Sequence, residues 1–190
     1  MLKIAVLASG SGSNAQALVE HFAQSPWARV EIIVTNNPQA GVIERAERLG
    51  VACKCFAPSA QGDEMLTFLH SRVDIILLAG YLRMIPENWT RAFKGRMFNV
   101  HPALLPKFGG KGMYGRHVHE AVSAAGESIT GITIHHVNEY YDEGAVVAQY
   151  QVEITPGEAV QSIEGKVREL ELEYFGPTIE SLIAQLSEQQ

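Results

Sequence analysis

An apolar hexapeptide, LKIAVL, runs directly into ASGSGSN, and a helical pattern, NAQALVEHFAQ, follows at once. This order of strand, glycine-serine turn and helix restricts the fold more than any other feature of the chain. A strand that is apolar at nearly every position must be covered on both faces, which is the condition of a parallel sheet flanked by helices. The turn contains Gly10-x-Gly12-x-x-Ala15, the spacing of the dinucleotide fingerprint. Glycines let the backbone approach an anion closely, and the helix behind them offers free amide groups. The turn therefore reads as a phosphate cradle; the alternative is a tight turn that binds nothing.

The unit recurs along the chain. RVEIIVTN, VACKCFA, VDIILLAGY and RMFNVH read as four further strands. Between them, AGVIERAERLG closes on Gly50, GDEMLTFLHSR follows, and PENWTRAFKG opens on Pro86 and stops at Gly95. In the first helix Ala15, Leu18, Val19 and Phe22 share a face, with Ser13 or Asn14 as N-cap. Alternating elements with short connections predict a doubly wound α/β fold with a mostly parallel sheet. After Gly126 the pattern changes: SITGITIHHVN and AVVAQYQVEI, joined by EYYDEG, read as an antiparallel, hairpin-type extension. The C-terminal segment reads as helix, EAVQSIEGKVRELELEYF, interrupted at Gly176-Pro177 and resumed in TIESLIAQL. One domain over residues 1–190 holds all of this.

Charge and cysteine usage narrow the partners. The formal charge is −6 and no basic run occurs, which argues against a nucleic-acid or anionic-membrane partner. No stretch is long enough for a membrane span, and the N-terminal apolar run is too short for a signal peptide. Cys53 and Cys55 are two apart on a strand, too awkwardly placed for a normal disulfide, and read as two buried thiols. A cytoplasmic location is expected.

A nicotinamide-binding domain would need an acidic residue at the end of its second strand. That strand ends in Thr35-Asn36-Asn37, and Glu31 lies at its other end. The cradle then suits a phosphate monoester better than a dinucleotide.

Ligands of open α/β sheets bind at the carboxyl ends of the strands. There the chain offers Asn99 and His101, two apart and so on one side of a strand end. An amide and an imidazole so placed can hold a developing oxyanion. Asp142, in the loop between the last two strands, can orient His101 or take up a proton, and His135 can brace that carboxylate. Taken singly, each has an ordinary structural explanation in turns and satisfied core histidines. His117 and His119 do not share a helical face, and no cysteine or carboxylate completes a tetrahedral set, so no metal is expected.

With these residues in view, the chain resembles the phosphoribosylglycinamide formyltransferases, a family of folate-dependent enzymes of purine biosynthesis. The resemblance rests on ASGSGSN, ILLAGYLRMIP at 76–86, FNVHPALLPKFGGKG at 98–112, GITIHHVNEYYDEGAVV at 131–147 and VRELELEYF near the end. It implies a Rossmann-like formyltransferase fold and transfer of a formyl group from 10-formyltetrahydrofolate, as co-substrate, to the amine of glycinamide ribonucleotide. The family's catalytic Asn, His and Asp fall on Asn99, His101 and Asp142, and its supporting His on His135. Phosphate binding falls on Gly12, Ser13 and Asn14, where a side chain on Gly12 would be expected to fill the phosphate position. The ribose contact falls on Glu171, with Glu169 and Glu173 close by. The folate is expected against Leu82, Arg83, Met84 and Ile85, and against Val137, Asn138, Glu139, Tyr140 and Tyr141. The resemblance further implies a phosphate-binding half at about 1–95, a folate-binding and catalytic half at about 96–190, and a monomer or homodimer. The chain departs from the family in APSAQGDEMLT, which is short and lacks an arginine that reaches the phosphate in many members; Lys107 or Lys111 can replace that cation. A 10-formyltetrahydrofolate deformylase and a catalytically silent nucleotide-binding module are the competing readings.

Overall fold

Seven strands form one sheet in the order β3-β2-β1-β4-β5-β6-β7 in a computed structural model that describes residues 1–56 and 62–188. The strands are β1 (Leu2–Leu7), β2 (Ala28–Thr35), β3 (Ala52–Cys55), β4 (Ile75–Leu78), β5 (Met97–His101), β6 (Ile129–His136) and β7 (Val146–Glu153). The helices are α1 (Ser13–Phe22), α2 (Val42–Leu49), α3 (Asp63–His70), α4 (Glu87–Ala92), α5 (Arg116–Ala124) and α6 (Val160–Glu188). The first five strands pair in parallel, and β6 and β7 add the antiparallel extension. β1 and β4 are buried along most of their length, as their unbroken apolar runs require.

The two faces of the sheet carry separate cores. One joins Ile4, Val6 and Leu77 to α1 and α6; the other joins Ala5, Leu7 and Ile76 to Met65, Trp89 and Phe93. The alternation of partners along β1 follows from the period of two. The chain leaves β1 toward β2 on one side and returns to β4 on the other, so the loops after β1 and β4 part company. That divergence opens a crevice at the carboxyl ends of the strands.

Three local expectations are corrected, and a fourth lies outside the described residues. The N-cap of α1 is Gly12, at φ 77°, with no side-chain cap from Ser13 or Asn14. The glycine supplies a left-handed turn that neither side chain would favour. Cys53 is only half-buried and Cys55 is exposed, because β3 is the short edge of the sheet. The expected continuation of that strand to Ala57, and the rest of residues 57–61 in the segment that lacks the arginine, lie outside the described residues. Finally, α6 runs unbroken through Pro177. The proline leaves the Glu173 carbonyl without its helical donor, at a cost of about 3 kcal/mol. On either side of it Val167, Phe175, Ile179 and Ile183 are buried, each contributing roughly 1.5–3 kcal/mol. Gly176 lets α1 come close: a Cβ there would lie 2.9 Å from the His21 ring, which in turn meets Glu180 at 2.8 Å.

Candidate active site

Gly10, Ser11, Ser13, Asn14 and Glu171 line a cavity of about 730 Å³ in the crevice, as do Leu82 to Ile85 and Val137 to Tyr141. Asn99, His101, His135 and Asp142 line the same cavity. Such a volume suits a small-molecule site.

The loop from Gly10 to Asn14 is held by α2. Val42 N donates to the Gly10 carbonyl at 3.1 Å and Arg45 Nε to the Ser11 carbonyl at 2.6 Å. The amides in the first turn of α1 have no intrahelical acceptor, and Ser13 and Asn14 line the cavity. Gly12 is buried and does not line the cavity; a Cβ on it would lie 2.3 Å from Val42 Cγ2. A side chain at Gly12 would therefore meet α2 and not the cavity, where the sequence reading expects it to fill a phosphate position. Ser9 Oγ accepts from Leu82 N at 2.9 Å and donates to Asn36 Oδ1 at 2.6 Å, tying together the loops after β1, β4 and β2.

Asn14 Nδ2 donates to Glu171 Oε2 at 2.8 Å, which singles out Glu171 among the three neighbouring glutamates. Burial pushes the Glu171 carboxyl up to about 7, against the lowering effects of Asn14 and Arg168. Lys107 is absent from the cavity; it is exposed and pairs with Glu127 at 2.7 Å. Lys111 does line the cavity, as do Arg168 and Glu164, which sequence reasoning missed. The signal was present: residues 164, 168 and 171 are spaced to share one face of a helix.

At the centre, register does the assembling. Asn99 pairs with His135 and His101 with Thr133 across β5 and β6, so their side chains stand on one face. Asn99 Nδ2 lies 3.1 Å from His135 Nε2, and His135 Nδ1 lies 2.8 Å from the His136 carbonyl. Only a protonated Nδ1 can satisfy that carbonyl. His135 is then the neutral Nδ1–H tautomer, and its Nε2 accepts from Asn99. Burial, which lowers the His135 pKa, favours the same state. One hydrogen of the Asn99 amide is thereby fixed, and the other is left for a ligand.

Asp142 sits at φ 57°, a left-handed conformation uncommon outside glycine. Its Oδ2 accepts from Gly110 N at 2.8 Å and lies 3.5 Å from His101 Nδ1, and its Oδ1 lies 3.7 Å from His135 Nε2. Both histidines are almost fully buried. His101 Nε2 lies 2.8 Å from the Phe108 carbonyl, so this nitrogen carries a proton. Two glycines make the approach possible. A Cβ on Gly109 would lie 2.4 Å from Leu105 Cδ2, and one on Gly144 would lie 1.7 Å from the His136 carbonyl oxygen.

The loop after His101 is anchored by residues that sequence reasoning also missed. Buried Thr133 Oγ1 donates to the Ala103 carbonyl at 2.7 Å and accepts from Leu105 N at 2.9 Å. Gln149 Nε2 reaches both the Leu105 carbonyl and Thr133 Oγ1 at 2.9 Å. Only the ladder pairing of Thr133 with Gln149 reveals this anchor.

The segments 82–85 and 137–141 bring large apolar side chains to the cavity. Ile85 is buried, while Leu82, Met84, Tyr140 and Tyr141 are exposed around the mouth. Tyr140 N turns back onto Asn138 Oδ1 at 3.0 Å, a turn that shapes this rim. Among the described residues no group of three or more His, Cys, Asp or Glu side chains is placed to hold a metal ion.

Comparison with known proteins matches residues 2–179 to the formyl transferase family. The phosphoribosylglycinamide formyltransferase of Bacillus subtilis is 36% identical over 193 residues, covering 96% of this chain and 95% of its own length. The chloroplastic phosphoribosylglycinamide formyltransferase of Vigna unguiculata is 38% identical over 189 residues; the chain spans 60% of that relative's length. The crystal structure of glycinamide ribonucleotide transformylase 1 from Geobacillus kaustophilus superposes with a TM-score of 0.88 at 39% identity, covering 96% of this chain and 99% of that one.

Proposed function

The chain belongs to the formyl transferase family, and we propose that it moves a formyl group from 10-formyltetrahydrofolate to the amine of glycinamide ribonucleotide. The observation that carries this reading is the convergence of Asn99, His101, His135 and Asp142 between an anion cradle and an apolar, open cleft. A phosphate on the amides of Ser13 and Asn14 and a ribose at Asn14 and Glu171 direct the amine of the nucleotide toward Asn99. A pterin lies against Arg83 to Ile85 and Val137 to Tyr141. On this assignment both halves of the single domain serve both substrates. Arg168, and not Lys107, is the cation nearest in role to the family's missing arginine, because it shares the α6 face with Glu171.

The amine attacks the formyl carbon, and an oxyanion develops on the formyl oxygen. The unbound hydrogen of the Asn99 amide is the donor for it, and a donor of this kind is worth about 10²–10³ in rate. His101 gives its Nε2 proton to the Phe108 carbonyl, so its Nδ1 is the nitrogen that deals with Asp142. In this reading His101 Nδ1 and Asp142 Oδ2, 3.5 Å apart, share a proton during turnover. That proton goes to N10 of the departing folate as the C–N bond breaks, and the one lost by the amine replaces it. His135, neutral, keeps the amide of Asn99 turned the right way. The phosphate, far from the reacting atoms, supplies binding energy that positions the amine.

Both substrates are small molecules. The free thiols of Cys53 and Cys55 suit a reducing cytoplasm. The test is the absorbance change of a 10-formyl folate with and without glycinamide ribonucleotide. Turnover that requires the amine is expected. Equal consumption of the formyl folate without it would make the protein a deformylase and refute the proposal.

A further inference from the structure

Among the described residues, His119 is the one buried polar side chain on the cavity wall that the reaction above leaves unused. It comes from α5, is 4% exposed, and lines the cavity. Its Nδ1 is sealed from solvent and, among the described residues, has no hydrogen-bond partner. A buried imidazole without a bond is costly to keep, which sets it apart from a histidine that merely fills space. Glu164 of α6 and His101 of the reaction centre are both near enough to act on it electrostatically.

The sealed nitrogen decides the tautomer. A proton on Nδ1 would be a buried donor with no acceptor, and orphaned donors are rarer in proteins than under-satisfied acceptors. The proton belongs on Nε2, the nitrogen left to serve the cavity, and His119 is therefore a donor there. Burial, which lowers its pKa, keeps the ring neutral with that single donor. Between ribose and amine the nucleotide carries one strong acceptor, the carbonyl of its glycinamide arm. Donation to the amine itself would occupy the lone pair that must attack.

We propose that His119 donates from Nε2 to the amide carbonyl of the glycinamide arm and so selects nucleotides that carry that arm. The contact rests on the substrate reading given above. It fixes the segment of the substrate between the ribose end at Glu171 and the reaction centre at Asn99.

The experiment compares glycinamide ribonucleotide with ribose 5-phosphate, which lacks the arm, by calorimetry on wild type, His119→Phe and His119→Gln. In His119→Phe the Kd for glycinamide ribonucleotide rises about fivefold or more, the loss of a hydrogen bond in a desolvated site. The Kd for ribose 5-phosphate changes less than twofold, and His119→Gln, which keeps a donor, recovers most of the loss. A smaller rise, or an equal rise for ribose 5-phosphate, overturns the contact. Nitrogen-15 spectra of the wild-type imidazole need no variant. They are expected to show an Nε2–H tautomer that shifts with glycinamide ribonucleotide and not with ribose 5-phosphate; an Nδ1–H tautomer or equal shifts overturn it. If wild type itself binds the two ligands equally, the substrate reading fails, and the contact fails with it. If wild type prefers glycinamide ribonucleotide and only the His119 variants behave as wild type, the contact alone fails.

Discussion

Replacing Thr133 with valine preserves shape and removes one hydroxyl, at a position where that hydroxyl makes three hydrogen bonds while fully buried. The Leu105 amide loses its acceptor and the Ala103 carbonyl loses its donor. Gln149 keeps its bond to the Leu105 carbonyl, so it is not stranded. An orphaned buried amide costs roughly 1–3 kcal/mol, and a carbonyl left with one empty lone pair costs less. The added methyl returns up to about 0.8 kcal/mol of burial. The net loss is then about 1–3 kcal/mol. With a urea m value of about 2–3 kcal/mol/M for a domain of this size, the midpoint falls by about 0.3–1.5 M at unchanged m. The same change frees the 102–106 loop that leads to Phe108, whose carbonyl holds His101. Turnover should therefore drop several-fold even at temperatures where the variant is fully folded. Equilibrium urea unfolding followed by circular dichroism, with kcat measured beside it, checks both parts. An unchanged midpoint with unchanged kcat would refute the claim that this hydroxyl anchors the loop.

Other consequences are open to direct measurement. Asn99→Ala, His101→Ala and Asp142→Asn should each lower kcat by at least about 10²-fold, with combined losses less than additive; near-wild-type turnover in any one removes that residue from the mechanism. Gly12→Ala should lower thermal stability by several degrees, since a left-handed residue and a 2.3 Å approach to Val42 are both imposed on it; an unchanged Tm contradicts this. Glu171 titrates at about 7 when folded and near 4.5 when unfolded, so its folded form holds the extra proton. Its contribution is complete below about 4.5 and is lost as pH rises through about 7, so wild type should lose stability relative to Glu171→Gln across that window. Parallel stability profiles for the two proteins would show that the carboxyl is not shifted.

What the sequence settled by itself was whatever a few neighbouring residues encode. Unbroken apolar runs such as IILL require a sheet buried on both faces, and their alternation with helical patterns requires double winding. The period of two put Asn99 and His101 on one side of a strand end before any fold was known. Glycine spacing after the first strand marked the turn that lines the cavity, although not which way Gly12 faces. Tertiary structure decided the rest because it depends on which strands become neighbours. β3 became an edge and exposed Cys55, a fact carried by strand order and not by the apolar character of its residues. α6 continued through Pro177 because buried side chains on both sides outweigh one missing donor. Lys107 turned to Glu127 while Arg168 came to the cavity, since the side chains that meet a ligand are fixed by the path of the whole chain. Thr133, Gln149 and His119 carry no motif; each acquires its role only when β6, β7, α5 and α6 pack against the loop after His101, and packing is a property of surfaces that lie far apart in sequence.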